Sequence, residues 1–430
     1  MQKQLPTLRG GWSIILDSLN QTMAARLNKQ IVIGRIDRAA PRCCYDGGLI
    51  VMSNHFTFQL GPLAVRIEED DLITPWAMRT FAVLETDSEP GLVFCFTDVP
   101  VPKDNALAVG DEHVKVASGQ VTYRERRYDV RLSGCNPLEV TLSRRDRRAL
   151  VWRSLSDPEE TWKMWLSHGS NLNMHLLKEF AYTISPLAIM CALLVRGGAL
   201  IHAGGLSIDG KGVLLPAWGG VGKSTVVSRA VMHGRAAFMA DDHAVIDEHG
   251  KMYLHPLPMH IYRYHVLQDA ALKAQMLDIC SWTNRLQWHV ASVLRPKRVV
   301  RWMHPISLFG AQKVQRQTTI EQVIVMFRGT GDTFIWETQD AAAAARTCVG
   351  VMMEEISGFA DRLSLAGAGW HSSVLPSLGE VCGQLQTLYE AAFSHARCAH
   401  LLVPHNADAD TLLTFLRSKC PLIAQAFEHT

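Results

Sequence analysis

Residues 217–225 read AWGGVGKST, and no other stretch limits the fold of this chain so tightly. Gly219, Gly220 and Gly222 let successive backbone N–H groups turn inward, because no Cβ stands in the way. Lys223 and Ser224 follow where a helix would open, so a helix N-terminus, a lysine charge and a hydroxyl converge on one small volume. A loop of this kind works only between a strand and a helix. Residues 212–215 supply an apolar strand. Val226, Val227, Ala230 and Val231 mark the buried face of a helix over 224–233, which Gly234 stops.

The loop departs from the GxxxxGK[ST] pattern at its first position, where Ala217 replaces glycine and so demands an ordinary backbone angle. Trp218 and Val221 fill variable positions, and Thr225 follows Ser224 into the helix. These residue types suit a nucleoside triphosphate with magnesium. The loop amides from Ala217 to Thr225 cradle phosphates, Lys223 reaches the β- and γ-phosphates, and the Ser224 hydroxyl ligates Mg2+. Nothing in the sequence reads as a base-specific pocket, so ATP and GTP stay open, with ATP as the working expectation.

The surroundings have a definite order. A strand over 199–208 carries His202, the pair Asp209-Gly210 turns the chain, and a return strand over 236–240 ends in Asp241 and Asp242. The two acids come 18 and 19 positions after Lys223, room for one helix and one returning strand. They should therefore finish beside the phosphate site. Two adjacent carboxylates there can divide the work, one holding magnesium and one taking a proton from a hydroxyl acceptor. The structural alternative is a solvated strand end or a helix cap.

From 199 to about 258 these parts resemble the HPr serine kinase/phosphorylase family, whose core is also similar to phosphoenolpyruvate carboxykinase. The family pattern is a strand with a histidine, a turn, a strand, a loop ending GKS, a helix closed by glycine and a strand ending in a double Asp. His202, Asp209-Gly210, Lys223, Ser224, Gly234, Asp241 and Asp242 fill those places. The resemblance implies Lys223 and Ser224 as phosphate and magnesium ligands, His202 near the phosphates, and the pair Asp241-Asp242 as general base and metal ligand. Which acid plays which part stays open, with Asp241 as base and Asp242 on the metal the working expectation. The resemblance does not fix the acceptor: a serine of a peptide or protein, as in related stand-alone peptide-tailoring kinases, is the favoured expectation, and a role in regulating sugar uptake is the less favoured one. The segment by which HPr kinases engage their protein substrate and form rings is not found.

The expected fold is mixed α/β (α+β), with a P-loop kinase core of HPr kinase/PEP carboxykinase type over 166–430 and a β-rich N-terminal domain over 1–165. Within the latter, residues 11–28 read as helix, and 49–52, 92–97 and 120–132 as strands. Further on, 176–194 reads as an apolar helix bent or broken at Pro186, 321–327 and 333–337 as a hairpin, and 400–403 as a last strand. The most apolar part, 184–194, is too short to cross a bilayer.

With 43 basic and 41 acidic residues, the formal charge of +2 gives no bulk case for nucleic acid or a membrane surface as partner. Ten cysteines without a CxxC pair suit reduced thiols, and no signal-peptide core follows Lys3 and Arg9, so a cytoplasmic protein is expected. Homo-oligomers are compatible with everything read so far.

Other residues invite attention. His243, His255, His260 and His265 lack the spacing of a zinc site. Tyr262 and Arg263 are placed to line a substrate loop. Of three arginine clusters (124, 126, 127; 144, 145, 147, 148; 295, Lys297, 298, 301), the third is placed to send an arginine to the transferring phosphoryl group. Three functions compete: a hydroxyl kinase acting on peptide or protein, a small-molecule kinase or carboxykinase-like enzyme, and a nucleotide-gated binding protein without transfer.

Overall fold

Short β-branched and aromatic runs in the first third of the chain form a mixed sheet. Its strands are β1 (His55–Leu60), β2 (Leu63–Glu68), β3 (Leu92–Thr97), β4 (Lys115–Ala117), β5 (Gln120–Arg124), β6 (Tyr128–Ser133) and β7 (Leu138–Arg144), ordered β1-β2-β3-β7-β6-β5-β4. The computed structural model describes residues 55–97, 115–117, 120–125, 128–134, 136–144, 174–294, 299–356 and 376–428. The helix expected at 11–28 and the strand expected at 49–52 lie outside them, as do Arg126, Arg127, Arg145, Arg147, Arg148, Arg295, Lys297 and Arg298. The single strand expected over 120–132 is instead the hairpin β5–β6. The Glu125 N–H bonds the Tyr128 carbonyl at 2.8 Å and reverses the chain.

Helix α1 (Ile73–Phe81) covers this sheet, burying Ile73, Trp76, Ala77 and Phe81, with Phe81 stacked on Phe58 at 4.0 Å. Arg144 anchors the α1 entry by bonding Asp70 at 2.5 Å and Asp71 at 2.8 Å, which makes it structural.

The apolar run after residue 173 is helical, but its irregularity precedes the proline. A π-helical stretch, Phe180–Ile184, leads into α2 (Ser185–Leu194), and Pro186 sits in the first turn of α2, where its missing N–H costs nothing. Leu176–Leu194 is long and apolar enough to cross a membrane by length and composition, yet 83% of its apolar window is buried within the protein. Phe180 packs edge-on against Trp76 and Phe94, tying this helix to the first sheet.

The second sheet is built around β8 (Gly198–Ile208), all eleven residues of which are buried. That explains its near-continuous apolar run. β9 (Lys211–Pro216) returns along one edge through the turn at Asp209 and Gly210, both at positive φ. Along the other edge run β10 (Ala237–Ala240) and β11 (His243–Asp247), successive parts of one path interrupted at Asp241-Asp242. β12 (Lys251–Tyr253) pairs β11 and β15 (Gln317–Arg328), and β15 pairs β9 in parallel, so the pairings β8–β11–β12–β15–β9 return to β8. β13 (Met259–Tyr262) and β14 (Val300–Met303) form a separate ribbon.

The hairpin expected between 321–327 and 333–337 does not form. β17 (Arg397–Val403) lies parallel to β15 and antiparallel to β16 (Ile335–Gln339), so it enters between them. An apolar strand gains more by full flanking than an edge position would give it. The class is mixed α/β, and one continuous apolar core joins both sheets.

Candidate active site

β9 delivers the chain to the glycine loop, and Ala217, fully buried, makes a bridge to Met326 of β15 that fixes the loop's entry. Gly220 and Gly222 take φ of 79° and 118°, and helix α3 (Lys223–His233) starts directly after. Only glycine adopts the Gly222 angle without strain. α3 lies tight on the sheet because β8 offers Gly204 beneath it, where a Cβ would stand 2.9 Å from Val227 Cγ2. The loop opens onto a cavity of about 630 Å³ lined by residues 219–225, His202, Asp242, His260, Tyr262 and Arg328 among others. Its floor is the N-terminus of α3, an electropositive end with free amides.

Lys223 is only 5% exposed, so its ammonium needs partners. It has three: His202 Nε2, the Ala217 carbonyl at 3.4 Å and Asp242 Oδ1 at 3.5 Å. His202 comes from the middle of β8 and faces His243 across the β8–β11 register. On its other nitrogen, Nδ1 lies 2.8 Å from Glu355 Oε2, a contact slanted away from in-line hydrogen-bond geometry. The His202 partnership holds the Glu355 carboxyl below its ordinary range against the pull of burial.

The acid pair divides by exposure. Asp242 lines the cavity with its side chain 26% exposed, and Oδ2 is 3.1 Å from His260 Nδ1. Burial pulls its carboxyl up, but the His260 hydrogen bond and the Lys223 charge outweigh it and hold the group far below its usual range. Asp241 is buried away from the cavity lining, and burial followed by the neighbouring Asp242 charge raises it to about 7. Ser224 is close enough to draw that value down, although no donor among the described residues reaches hydrogen-bonding geometry on either Asp241 oxygen. Behind them His243 is fully enclosed with no partner on either ring nitrogen among the described residues. Burial, then His202 and His255, lowers it to about 3, so the ring is neutral.

Sequence reasoning places the loop, Lys223, Ser224, His202 and the acids together, and they are neighbours. Trp218 is half exposed and stands edge-on to Phe327 outside the cavity lining. Arg301 does not approach the site. Its guanidinium bonds Gln287 at 2.7 Å and lies over Trp288, because burial on that ribbon requires a partner for every donor. Tyr262 lines the cavity, whereas Arg263 does not.

Three site residues carry no local signal in the sequence. Arg328 ends β15 and bonds the carbonyls of Pro404 at 2.7 Å, Ala407 at 3.1 Å and the loop's own Gly220 at 3.1 Å. His260 arrives from β13, and Glu355 from the last turn of a helix more than a hundred residues after the loop. Arg229 of α3 is also tied in, bonding Asp410 and, at 2.7 Å, the Gln268 carbonyl, which seats the cavity walls on α3.

No protein-family model matches the chain. No curated protein matches it either. Among solved structures it is similar to the Hpr(Ser) kinase/phosphatase from Coxiella burnetii, at 15% sequence identity and a TM-score of 0.23, over 51% of this chain and 95% of that one.

Proposed function

We propose that this protein is a Mg-ATP-dependent kinase that transfers the γ-phosphoryl group to a hydroxyl, a serine of a peptide or protein being the favoured acceptor. The observation that carries the reading is the convergence of Lys223, the glycine loop and a cavity-facing carboxylate, with Asp242 Oδ1 3.5 Å from Lys223 Nζ. A buried ion pair is costly to maintain for stability alone. A site for transferring phosphoryl groups needs both charges at one place.

Magnesium fits the residues present. Asp241 offers two buried oxygens that no donor among the described residues reaches in hydrogen-bonding geometry, beside the Ser224 hydroxyl at the start of α3. Ser224 and Asp241 would hold the ion, which supplies charge neutralisation on the phosphates. The loop amides and Lys223 bind the phosphate oxygens and fix the triphosphate in line with the acceptor. Asp242 takes the acceptor's hydroxyl proton as the new O–P bond forms and the bond to the β-γ bridging oxygen breaks, leaving ADP. His260 orients the Asp242 carboxylate. Exposure to the cavity favours Asp242 as base and Asp241 as metal ligand, the reverse of the expectation from sequence. The partners that hold the Asp242 carboxyl low weaken it as a base, and Lys223 releases it when drawn to a phosphate.

The experiment uses two readouts on the wild type and on the Asp241→Asn, Asp242→Asn double variant: Mg-ATP affinity by calorimetry and label transfer from γ-phosphate. Binding that stays measurable with transfer abolished supports the reading. Equal transfer by both proteins sinks it.

A further inference from the structure

Glu355 sits where a carboxylate is not helped by its own helix. It is the last residue of Ala341–Glu355, follows Glu354, and no basic residue occupies that last turn. The C-terminal end of a helix carries partial negative charge, so an acid there is disfavoured. A local rule broken in this way asks for a compensating role. Among the contacts of its carboxylate is His202, 2.8 Å away at Nδ1, and Glu355 also lines the cavity.

The opposite ring nitrogen meets Lys223. An ammonium has donors and no lone pair, so Nε2 must present its own lone pair to Lys223 Nζ. A neutral ring with Nε2 bare carries its proton on Nδ1, facing Glu355. A bare Nδ1 would instead set a lone pair against a carboxylate at 2.8 Å. Both contacts therefore select one tautomer. Among the described residues it is the Glu355 carboxylate, through its negatively charged oxygen at 2.8 Å rather than an in-line hydrogen bond, that supplies the selection from the Nδ1 side.

We propose that Glu355 is a positioning residue for the phosphate-binding lysine: it fixes His202 in the Nδ1–H tautomer, so that Nε2 holds Lys223 extended beside the glycine loop. The proposal takes Lys223 as the phosphate ligand of the kinase reading above. Without Glu355 the ring is free to carry its proton on Nε2. That hydrogen would face the ammonium, and Lys223 would turn toward Asp242 and away from the loop.

The test reads the tautomer and the affinity separately. In nitrogen-15 correlation spectra of nucleotide-free protein, assigned with His202→Asn, the His202 ring is expected to carry its proton on Nδ1. Glu355→Ala should shift the ring toward the Nε2–H form and weaken Mg-ATP binding about tenfold, a cost typical of losing a group that orients a ligand. Glu355→Gln keeps a side-chain carbonyl to accept from Nδ1 and should restore the tautomer and bring affinity to within about twofold of wild type. An Nε2–H ring in the wild-type protein overturns the proposal without any variant. So does a Glu355→Ala protein with unchanged tautomer and affinity, or a Glu355→Gln protein as impaired as the alanine variant. The tautomer readout needs neither acceptor nor turnover, so its failure is distinct from failure of the kinase reading, which is seen in transfer.

Discussion

His260 Nδ1 stands 3.1 Å from Asp242 Oδ2 while Lys223 Nζ stands 3.5 Å from Oδ1, so the cavity-facing acid is held by one partner on each oxygen. With the lysine drawn to a phosphate, His260 alone would orient the carboxylate. Replacing His260 with alanine should lower kcat about tenfold, the equivalent of one orienting hydrogen bond, and leave the KM for Mg-ATP nearly unchanged. Steady-state kinetics at saturating acceptor would show the split.

Arg328 joins the glycine loop to the segment carrying Pro404 and Ala407 through three carbonyl contacts. Arg328→Ala should weaken Mg-ATP binding by about tenfold or more, because charge-assisted hydrogen bonds contribute on the order of 1.5–3 kcal/mol. Arg328→Lys should not restore it, since a single ammonium cannot span the fork that the guanidinium fills. Calorimetric titration of both variants checks this.

Gly222 faces two obstacles to substitution. Its φ is 118°, and an added Cβ would stand 2.7 Å from Leu412 Cδ2. Gly222→Ala should cost about 1–3 kcal/mol in unfolding free energy and abolish nucleotide binding. Adding Leu412→Ala removes the clash but leaves the backbone angle, so binding should stay lost in the double variant. Denaturant unfolding and nucleotide titration separate the two effects.

Acid should destabilise the fold before its ordinary carboxylates titrate, with the raised Asp241 working in the opposite direction and offsetting part of the loss. Burial lowers His255 and His265 to about 4, and burial with Arg79 nearby does the same for His304, from an ordinary value of 6.5. Between those values the unfolded chain binds protons that the folded chain refuses. Stability is therefore full above about pH 6.5 and falls as pH drops toward 4, by several kcal/mol in order of magnitude. Urea midpoints measured from pH 7.5 to 4 should decline through that window. A flat profile would mean that these rings are not neutral in the core.

The glycine loop was legible because its chemistry is local. Spacing of Gly219, Gly220 and Gly222 before Lys223, an apolar strand before and an amphipathic helix after are all contained in some twenty residues. The same holds for Asp241-Asp242, whose place depends on one helix and one return strand. Glu355, Arg328 and His260 reach the site through sheet register and helix packing, which no single window of sequence contains. Arg301 misled for the complementary reason. Its position after the core looked suited to a phosphate, but Trp288 and Gln287 claim its guanidinium. The false hairpin came from treating neighbours in sequence as neighbours in the sheet, where β17 takes the place between β15 and β16.

The proposed activity moves phosphate onto a hydroxyl. The most direct measurement incubates the wild-type protein and Asp242→Asn with γ-labelled Mg-ATP and size-fractionated extract of the source cells. Label is expected in a peptide or protein fraction, as phosphoserine, with wild type alone. Label only in small molecules would contradict the favoured acceptor, and no label with either protein while ATP remains bound would contradict the kinase reading itself.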